Sequence, residues 1–284
     1  MDASPETTPP ATEQPAARYD TLSDGYARHW GPVIRPAAEA LLGHIGGPIA
    51  EGASLLDVGT GTGTLAVAAL ERWPTMRVTG IDPSGAMLEL AEREAARRLG
   101  PAVRDRFTTL AGIADRMPFE SASFDLAVSS FVLQLVPNRS AALAEIRRVL
   151  RPGAPLAWVS WLVGGSAFRA DEVVDDVLDE FGFEPPERDA RSGDLASVSA
   201  AAAGTRRAGF RDVRATAATL DHTWTAEGYV AFITEFDEES LFSELEPGER
   251  RRIERRLLAR LRRLSAADLT IRLPIVYVTG VAAS

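Results

Sequence analysis

Ser54–Ala66 reads SLLDVGTGTGTLA: an apolar run, three alternating glycines, then a helical pattern. Such a junction can cradle a nucleotide cofactor, because glycine has no Cβ and opens φ > 0, letting the backbone approach a ligand. Gly59, Gly61 and Gly63 are therefore expected to line a contact surface. Spacing separates the candidate cofactors. A dinucleotide fingerprint needs G-x-G-x-x-G, and the place of its third glycine is Thr64 here. The chain instead reads D-x-G-x-G-x-G, with Asp57 ahead of the first glycine. A carboxylate there is a poor neighbour for a pyrophosphate and suits an ammonium.

The second anchor is Val78–Asp82, VTGID. It is an apolar run ending in a carboxylate about 20 residues after the glycines, the spacing of an acid that accepts from ribose hydroxyls. Gly112–Phe119 (GIADRMPF), Ser123–Leu133 (SFDLAVSSFVL) and Glu145–Gly153 (EIRRVLRPG) follow. Asp57–Gly63 resembles the first motif of class I S-adenosylmethionine (SAM) dependent methyltransferases. Over residues 50–163 the motifs are similar, in order and spacing, to the quinone-biosynthesis type of small-molecule methyltransferase.

The resemblance implies SAM as cofactor and S-adenosylhomocysteine as product. It assigns the methionine moiety to Asp57, Gly59, Thr60, Gly61 and Gly63, and the ribose to Asp82. The adenine region falls to Met87, Ile113 and Ala114, with Pro83 a further cofactor contact, and the reacting end to Ser129, Ser130 and Phe131. Family members usually carry an acid at the adenine amino group where this chain has Ile113, with Asp115 two positions on. Gln134 stands where relatives commonly have His, and an amide cannot act as a base.

Composition narrows the chemistry. Without Cys there are no disulfides, thiolate metal sites or cysteine nucleophiles. All 31 cationic residues are Arg, which removes Schiff-base chemistry and the Walker lysine. Three His, at 29, 44 and 222, leave little scope for a metal cluster, and no metal is expected. A net charge of −9 argues against a nucleic-acid substrate. Ser129–Val132 also lacks the Asn/Asp-Pro-Pro-aromatic motif of amino-methylating DNA enzymes. No run is long enough for a membrane span, and the N-terminus has no signal-peptide pattern. The expectation is a cytoplasmic enzyme, monomer or homodimer, with a small-molecule substrate.

Alternating strands and helices imply an α/β fold: a doubly wound, Rossmann-like, seven-stranded sheet with an antiparallel edge hairpin and a helical lid insertion. Strands are expected at 53–58, 77–82, 106–111, 124–130, 155–163, 211–221 and 271–281, with Pro274 at an edge or strand entry. Helices are expected at 64–73, 84–99 with Ser84 as N-cap, 139–150, 170–182 and 195–208. Residues 1–17 read as a disordered leader ahead of a single methyltransferase domain, 18–284. That domain divides into an N-terminal helical cap (18–50), a SAM-binding core (51–163), the lid (164–208) and C-terminal strands and helices (209–284). A Pro- and charge-rich loop is expected at 183–194.

The acidic face of 170–182 and the basic run Arg250–Arg263 both read first as solvated helix faces. The arginines are expected to pair with Glu235, Asp237, Glu238, Glu239 and Glu244; the functional alternative for the run is docking to anionic lipid or nucleic acid.

Methyl transfer asks for alignment and exclusion of water, and an oxygen or carbon acceptor can also require a base. His222 and His29 are the candidates, or orientation alone drives the reaction. Tyr19, Tyr26, Trp30, Gln134, Trp161 and Phe168 are candidate substrate-pocket residues, each with packing as its ordinary alternative. Two further readings compete with methyl transfer: an NAD(P)-dependent oxidoreductase, and a non-catalytic SAM-binding protein.

Overall fold

The computed structural model describes residues 13–165, 167–184 and 193–283, with side chains from residue 17. Residues 1–12 of the expected leader and 185–192 of the expected charged loop lie outside the described residues. Helix α1 (Glu13–Gly25) already begins within the stretch read as leader. It runs through a π-helical turn (Tyr26–Trp30) into α2 (Gly31–Leu41).

Seven strands follow: β1 (Ser54–Val58), β2 (Arg77–Asp82), β3 (Phe107–Ala111), β4 (Leu126–Ser130), β5 (Pro155–Trp161), β6 (Phe210–Thr223) and β7 (Thr270–Ala282). They form one sheet in the order β3-β2-β1-β4-β5-β7-β6. The first five are parallel, and β7 pairs antiparallel with both β5 and β6. Helices α3 (Thr64–Arg72), α4 (Gly85–Leu99) and α5 (Arg139–Val149) lie between the parallel strands; α6 (Arg169–Glu180) and α7 (Val198–Arg207) join β5 to β6. Between β6 and β7 come α8 (Ala226–Phe232), a second π-helical turn (Ile233–Asp237), α9 (Glu239–Glu244) and α10 (Pro247–Leu261). The last two strands form the expected antiparallel pair at the sheet edge, with helices between them in the chain.

Pro274 sits in β7, an inner strand. Its carbonyl accepts from Leu162 N at 2.9 Å. A strand residue's N and O point the same way, so the missing N–H faces the very end of β5, where little of the ladder is lost.

Two apolar layers sandwich the sheet, and neighbouring residues alternate between them. Leu55 faces α2, α3 and α4, while Leu56 faces α5 and α7. This two-residue period is what a strand covered on both sides requires. Strand order reverses between β1 and β4, and open α/β sheets bind ligands at the strand carboxyl ends beside such a reversal.

Candidate active site

A pocket opens at that point, with an empty volume of about 1150 Å³, mouth included. Its floor is the loop after β1. Gly59 has φ 71°, and a Cβ there would lie 2.3–2.8 Å from the Val132 side chain. The position needs glycine for both backbone and space. Gly63 caps α3 at φ 78° with Ala91 against it, so it serves helix packing and does not line the pocket.

The loop amides are mostly engaged. Gly59 N and Thr60 N donate to Ile81 O at 2.8 and 3.0 Å, Gly61 N donates to Asp82 Oδ2 at 2.9 Å, and Gly63 N donates to Thr60 O at 2.9 Å. The loop is thereby tied to β2. Four of its five amides are unavailable to a phosphate.

Carboxylates dominate the polar lining. Asp57 is 1% exposed; its Oδ2 accepts from Thr60 Oγ1 at 2.9 Å, and its Oδ1 has no partner. Burial pushes its pKa up to about 7, and the nearby Asp82 charge adds to the rise while the Thr60 hydroxyl and the Ala66 backbone amide oppose it. Asp82 accepts from Ser84 N at 3.0 Å and Gly61 N at 2.9 Å. Burial raises its pKa as well, against those two bonds. Asp115 is the third acid in the lining, which contains no arginine or histidine among the described residues.

The roof is N-terminal. Tyr19 and Tyr26 line the pocket, and burial raises the pKa of both phenols, so they stay protonated. Ile34 and Ala38 of α2 line it too. Asp20 fastens this roof: its Oδ1 accepts from Ser84 Oγ at 2.6 Å and Ala86 N at 3.1 Å, at the N-terminus of α4. Ser84 Oγ in turn accepts from Met87 N at 3.1 Å as the N-cap. Among the described residues, none of 164–208 is in the lining. Helix α6 buries Val173, Val174, Val177 and Leu178 and packs on α10.

Residues 55–153 match the methyltransferase domain family. The chain is 33% identical over 174 residues to the ubiquinone/menaquinone biosynthesis C-methyltransferase of Paracoccus denitrificans, covering 57% of this chain and 66% of that one. It is 35% identical over 146 residues to the demethylmenaquinone methyltransferase of Lactiplantibacillus plantarum, covering 50% and 56%. Residues 55–153 are thus a class I SAM-dependent methyltransferase domain. It spans about two thirds or less of the length of these curated relatives. In fold it is similar to phosphoethanolamine N-methyltransferase 2 of Haemonchus contortus in complex with phosphomonomethylethanolamine and S-adenosylhomocysteine. The TM-score is 0.59 at 18% identity, over 99% of this chain and 62% of that one.

Of the residues expected to hold the cofactor in this methyltransferase, Asp57, Gly59, Thr60, Gly61, Asp82, Pro83, Met87, Ile113, Ala114, Ser130 and Phe131 line the pocket. Ser129 does not; its Oγ donates to Val58 O at 2.8 Å inside the sheet. Ser130 Oγ is buried without a partner. Phe131 has φ 55°, which for a bulky residue stores strain. Three contacts hold it: its N–H donates to Val159 O at 2.9 Å, its carbonyl accepts from Gln134 Nε2 at 2.6 Å, and its ring stacks on Trp161 at 4.1 Å. Gln134 Oε1 is engaged by Ser160 Oγ at 2.7 Å, so Gln134 is a clamp behind the pocket wall.

Trp30, Trp161 and Phe168 also lie outside the lining. Trp161 stacks behind Phe131, Trp30 packs between Trp161 and Phe232, and Phe168 packs edge-on to Tyr229. Neither proposed histidine base reaches the pocket. His29 Nε2 is 3.0 Å from Glu235 Oε2, which Arg28 also binds at 2.9 Å. His222 pairs with Ile271 across β6 and β7 and sits edge-on to Trp224, where burial lowers its pKa.

Sequence reasoning missed Ile34, Ala38 and Leu135–Pro137 as lining and Asp20 as a tether. The first two share an apolar helical face with Val33, Ala37 and Leu41, which reads as core.

Proposed function

We propose that this chain transfers a methyl group from SAM to a small apolar or aromatic organic acceptor, at oxygen or carbon, by in-line displacement. The observation that carries the reading is Asp57 Oδ1: a buried, unpartnered carboxylate oxygen in a pocket lined, among the described residues, by acids and by no cation. That donor set fits a cationic sulfur nucleoside. It does not fit a pyrophosphate, whose amide partners are already engaged.

Asp57 would hold the ammonium end, and the remaining lone pairs of Asp82 would accept from the ribose hydroxyls. Pro83, Met87, Ile113 and Ala114 would flank the adenine, with Asp115 beside them in the lining. When bound, SAM supplies a methyl group already activated on a sulfonium. The chain's residues supply alignment and exclusion of water, which can contribute up to about 7 to 11 kcal/mol. Ser130 and Phe131 border the reacting end, and Ile34, Ala38, Leu65, Val132, Leu135 and Val136 offer an apolar wall for the acceptor. The lining holds no histidine, so orientation, rather than a dedicated base, is the chain's contribution.

Calorimetric titration with SAM, S-adenosylhomocysteine, NADH and NADPH tests the cofactor, and a methyl-transfer assay over apolar and phenolic acceptors tests the reaction. Micromolar binding of the sulfur nucleosides alone is expected. Binding of the dinucleotides would overturn the reading, and cofactor binding without turnover of any acceptor would favour a non-catalytic SAM-binding protein. Asp82→Ala should weaken SAM binding by more than about tenfold, the loss of charge-assisted hydrogen bonds; unchanged affinity would remove Asp82 from the ribose.

A further inference from the structure

We propose that the outward face of α10 docks on an anionic lipid bilayer surface. The helix buries Ile253, Leu257 and Leu261 on its inner side. At 100° per residue the opposite side carries Arg251, Arg252, Arg255 and Ala259, and Arg262 and Arg263 follow directly after the helix's last residue, all exposed. No acid interrupts that row. The arginines on the flanks are paired: Arg250 with Glu254, Arg256 with Glu180, and Arg260 with Asp176 and Glu180. In the outer row Arg262 pairs with Glu227. Arg251, Arg252, Arg255 and Arg263 form no ion pair among the described residues. These partners differ from the upstream acids expected for the run, and Glu235 is engaged by Arg28 and His29.

This is an unusual use of charge in a chain with 40 acids against 31 bases. Like charges three and four residues apart repel on a helix surface, so the row weakens the isolated helix and gains from a polyanion. The shape selects which one. A helix of 15 residues presents a straight face about 22 Å long at 1.5 Å per residue. It carries no aromatic or large apolar side chain to anchor a protein partner. A nucleic acid that wrapped the chain would meet its net negative surface elsewhere. A headgroup layer is flat and meets this face alone, and clusters of four to eight arginines on a helix match it. The apolar side of α10 is buried in the core, so the contact is electrostatic docking without insertion.

The face is also connected to the pocket. α10 packs on α8, and α8 packs on the Tyr26–Trp30 turn that contributes Tyr26 to the roof.

Sedimentation of the full chain with vesicles tests the proposal. Phosphatidylcholine vesicles containing phosphatidylglycerol should capture the protein at low salt and release it at high salt, and pure phosphatidylcholine vesicles should not capture it. The variant Arg251→Gln, Arg252→Gln, Arg255→Gln keeps good helix formers. It should partition about a hundredfold more weakly, on the order of fivefold per arginine, with an unchanged thermal melt. No capture of the wild-type chain by anionic vesicles at low salt would overturn the proposal. So would capture of the folded triple variant equal to wild type, or tighter binding of duplex DNA or RNA than of vesicles at the same salt. Should the variant melt early, the lipid and salt dependence of the wild-type chain decides alone.

Discussion

At the Asp57 end of the pocket the contacts come from the ends of β1 and β2 and the loop between them, joined by hydrogen bonds of 2.8 to 3.0 Å. At the Phe131 end the walls come from segments far apart in the chain, Ile34 and Ala38 of α2 against Val132–Pro137 after β4, and they meet through apolar packing. The first end is built to hold charge in a fixed geometry. The second is shaped surface without a titrating group. On the proposed function, cofactor recognition would be local and electrostatic within this pocket, and acceptor recognition tertiary and steric.

The largest expected effect comes from removing the charge at the first end. Asp57→Asn keeps the shape and the bond to Thr60, yet should weaken SAM and S-adenosylhomocysteine binding by about a hundredfold, the scale of a charge-assisted hydrogen bond. Calorimetry reads it directly. A change below about threefold would make the two ends alike and break the comparison.

The pH dependence sharpens the same point. Asp57 has its pKa pushed up to about 7, and a cationic ligand binds the ionised form. SAM affinity should therefore rise by about tenfold between pH 6 and pH 8 as the ionised fraction grows, with proton release on binding that depends on buffer in calorimetry. Asp57→Asn should flatten both. Stability runs the other way: the folded pKa lies above the unfolded one, so Asp57 stabilises the empty fold least at high pH. The loss accrues from the unfolded carboxylate range up to about pH 7.

The same contrast explains what could be read from sequence. β2 was legible to the residue as Arg77–Asp82, and Ser84 as the N-cap, because an apolar run, a terminal acid and a Ser after Pro are local signals. Asp57, Gly61 and Asp82 were legible as lining residues from the same short-range spacing, though not the bond from Gly61 N to Asp82. Phe131, Gln134 and Trp161 were legible as neighbours of the site but not in their arrangement. Phe131 turns at φ 55°, and Gln134 points back to its carbonyl and to Ser160, a residue of β5. No periodicity announces a left-handed phenylalanine. What α6 packs on was not legible for a related reason: an amphipathic helix declares that it has an apolar face, not what that face will meet, and α6 packs on α10.

Asp20 belongs to both ends, since it hangs the roof on α4 beside Asp82. Asp20→Asn keeps one acceptor oxygen but removes the charge from the helix N-terminus, where a carboxylate is favourable. Release of S-adenosylhomocysteine should accelerate by about fivefold, the scale of one hydrogen bond, measured by stopped-flow displacement. The acceptor KM should change less. If release is unaltered while kcat falls, the roof acts on the acceptor end instead, and the division between the two ends must be redrawn.

The smallest effects are expected at the histidines, and they probe the claim that the acceptor end carries no base. His29 is committed to Glu235, and His222 is packed against Trp224 at the end of β6; neither lines the pocket. His29→Gln and His222→Ala should each leave kcat/KM for methyl transfer within about twofold of wild type, the range of substitutions away from a site. The informative readout is the pH profile. A base contributes about 10²- to 10⁴-fold and leaves an acidic limb in the rate profile that disappears with its removal. A limb that survives both substitutions belongs to Asp57 and vanishes in Asp57→Asn. A limb lost with His222 would mean that the C-terminal end of β6 moves onto the acceptor during turnover, giving the steric end of the pocket a titrating group after all.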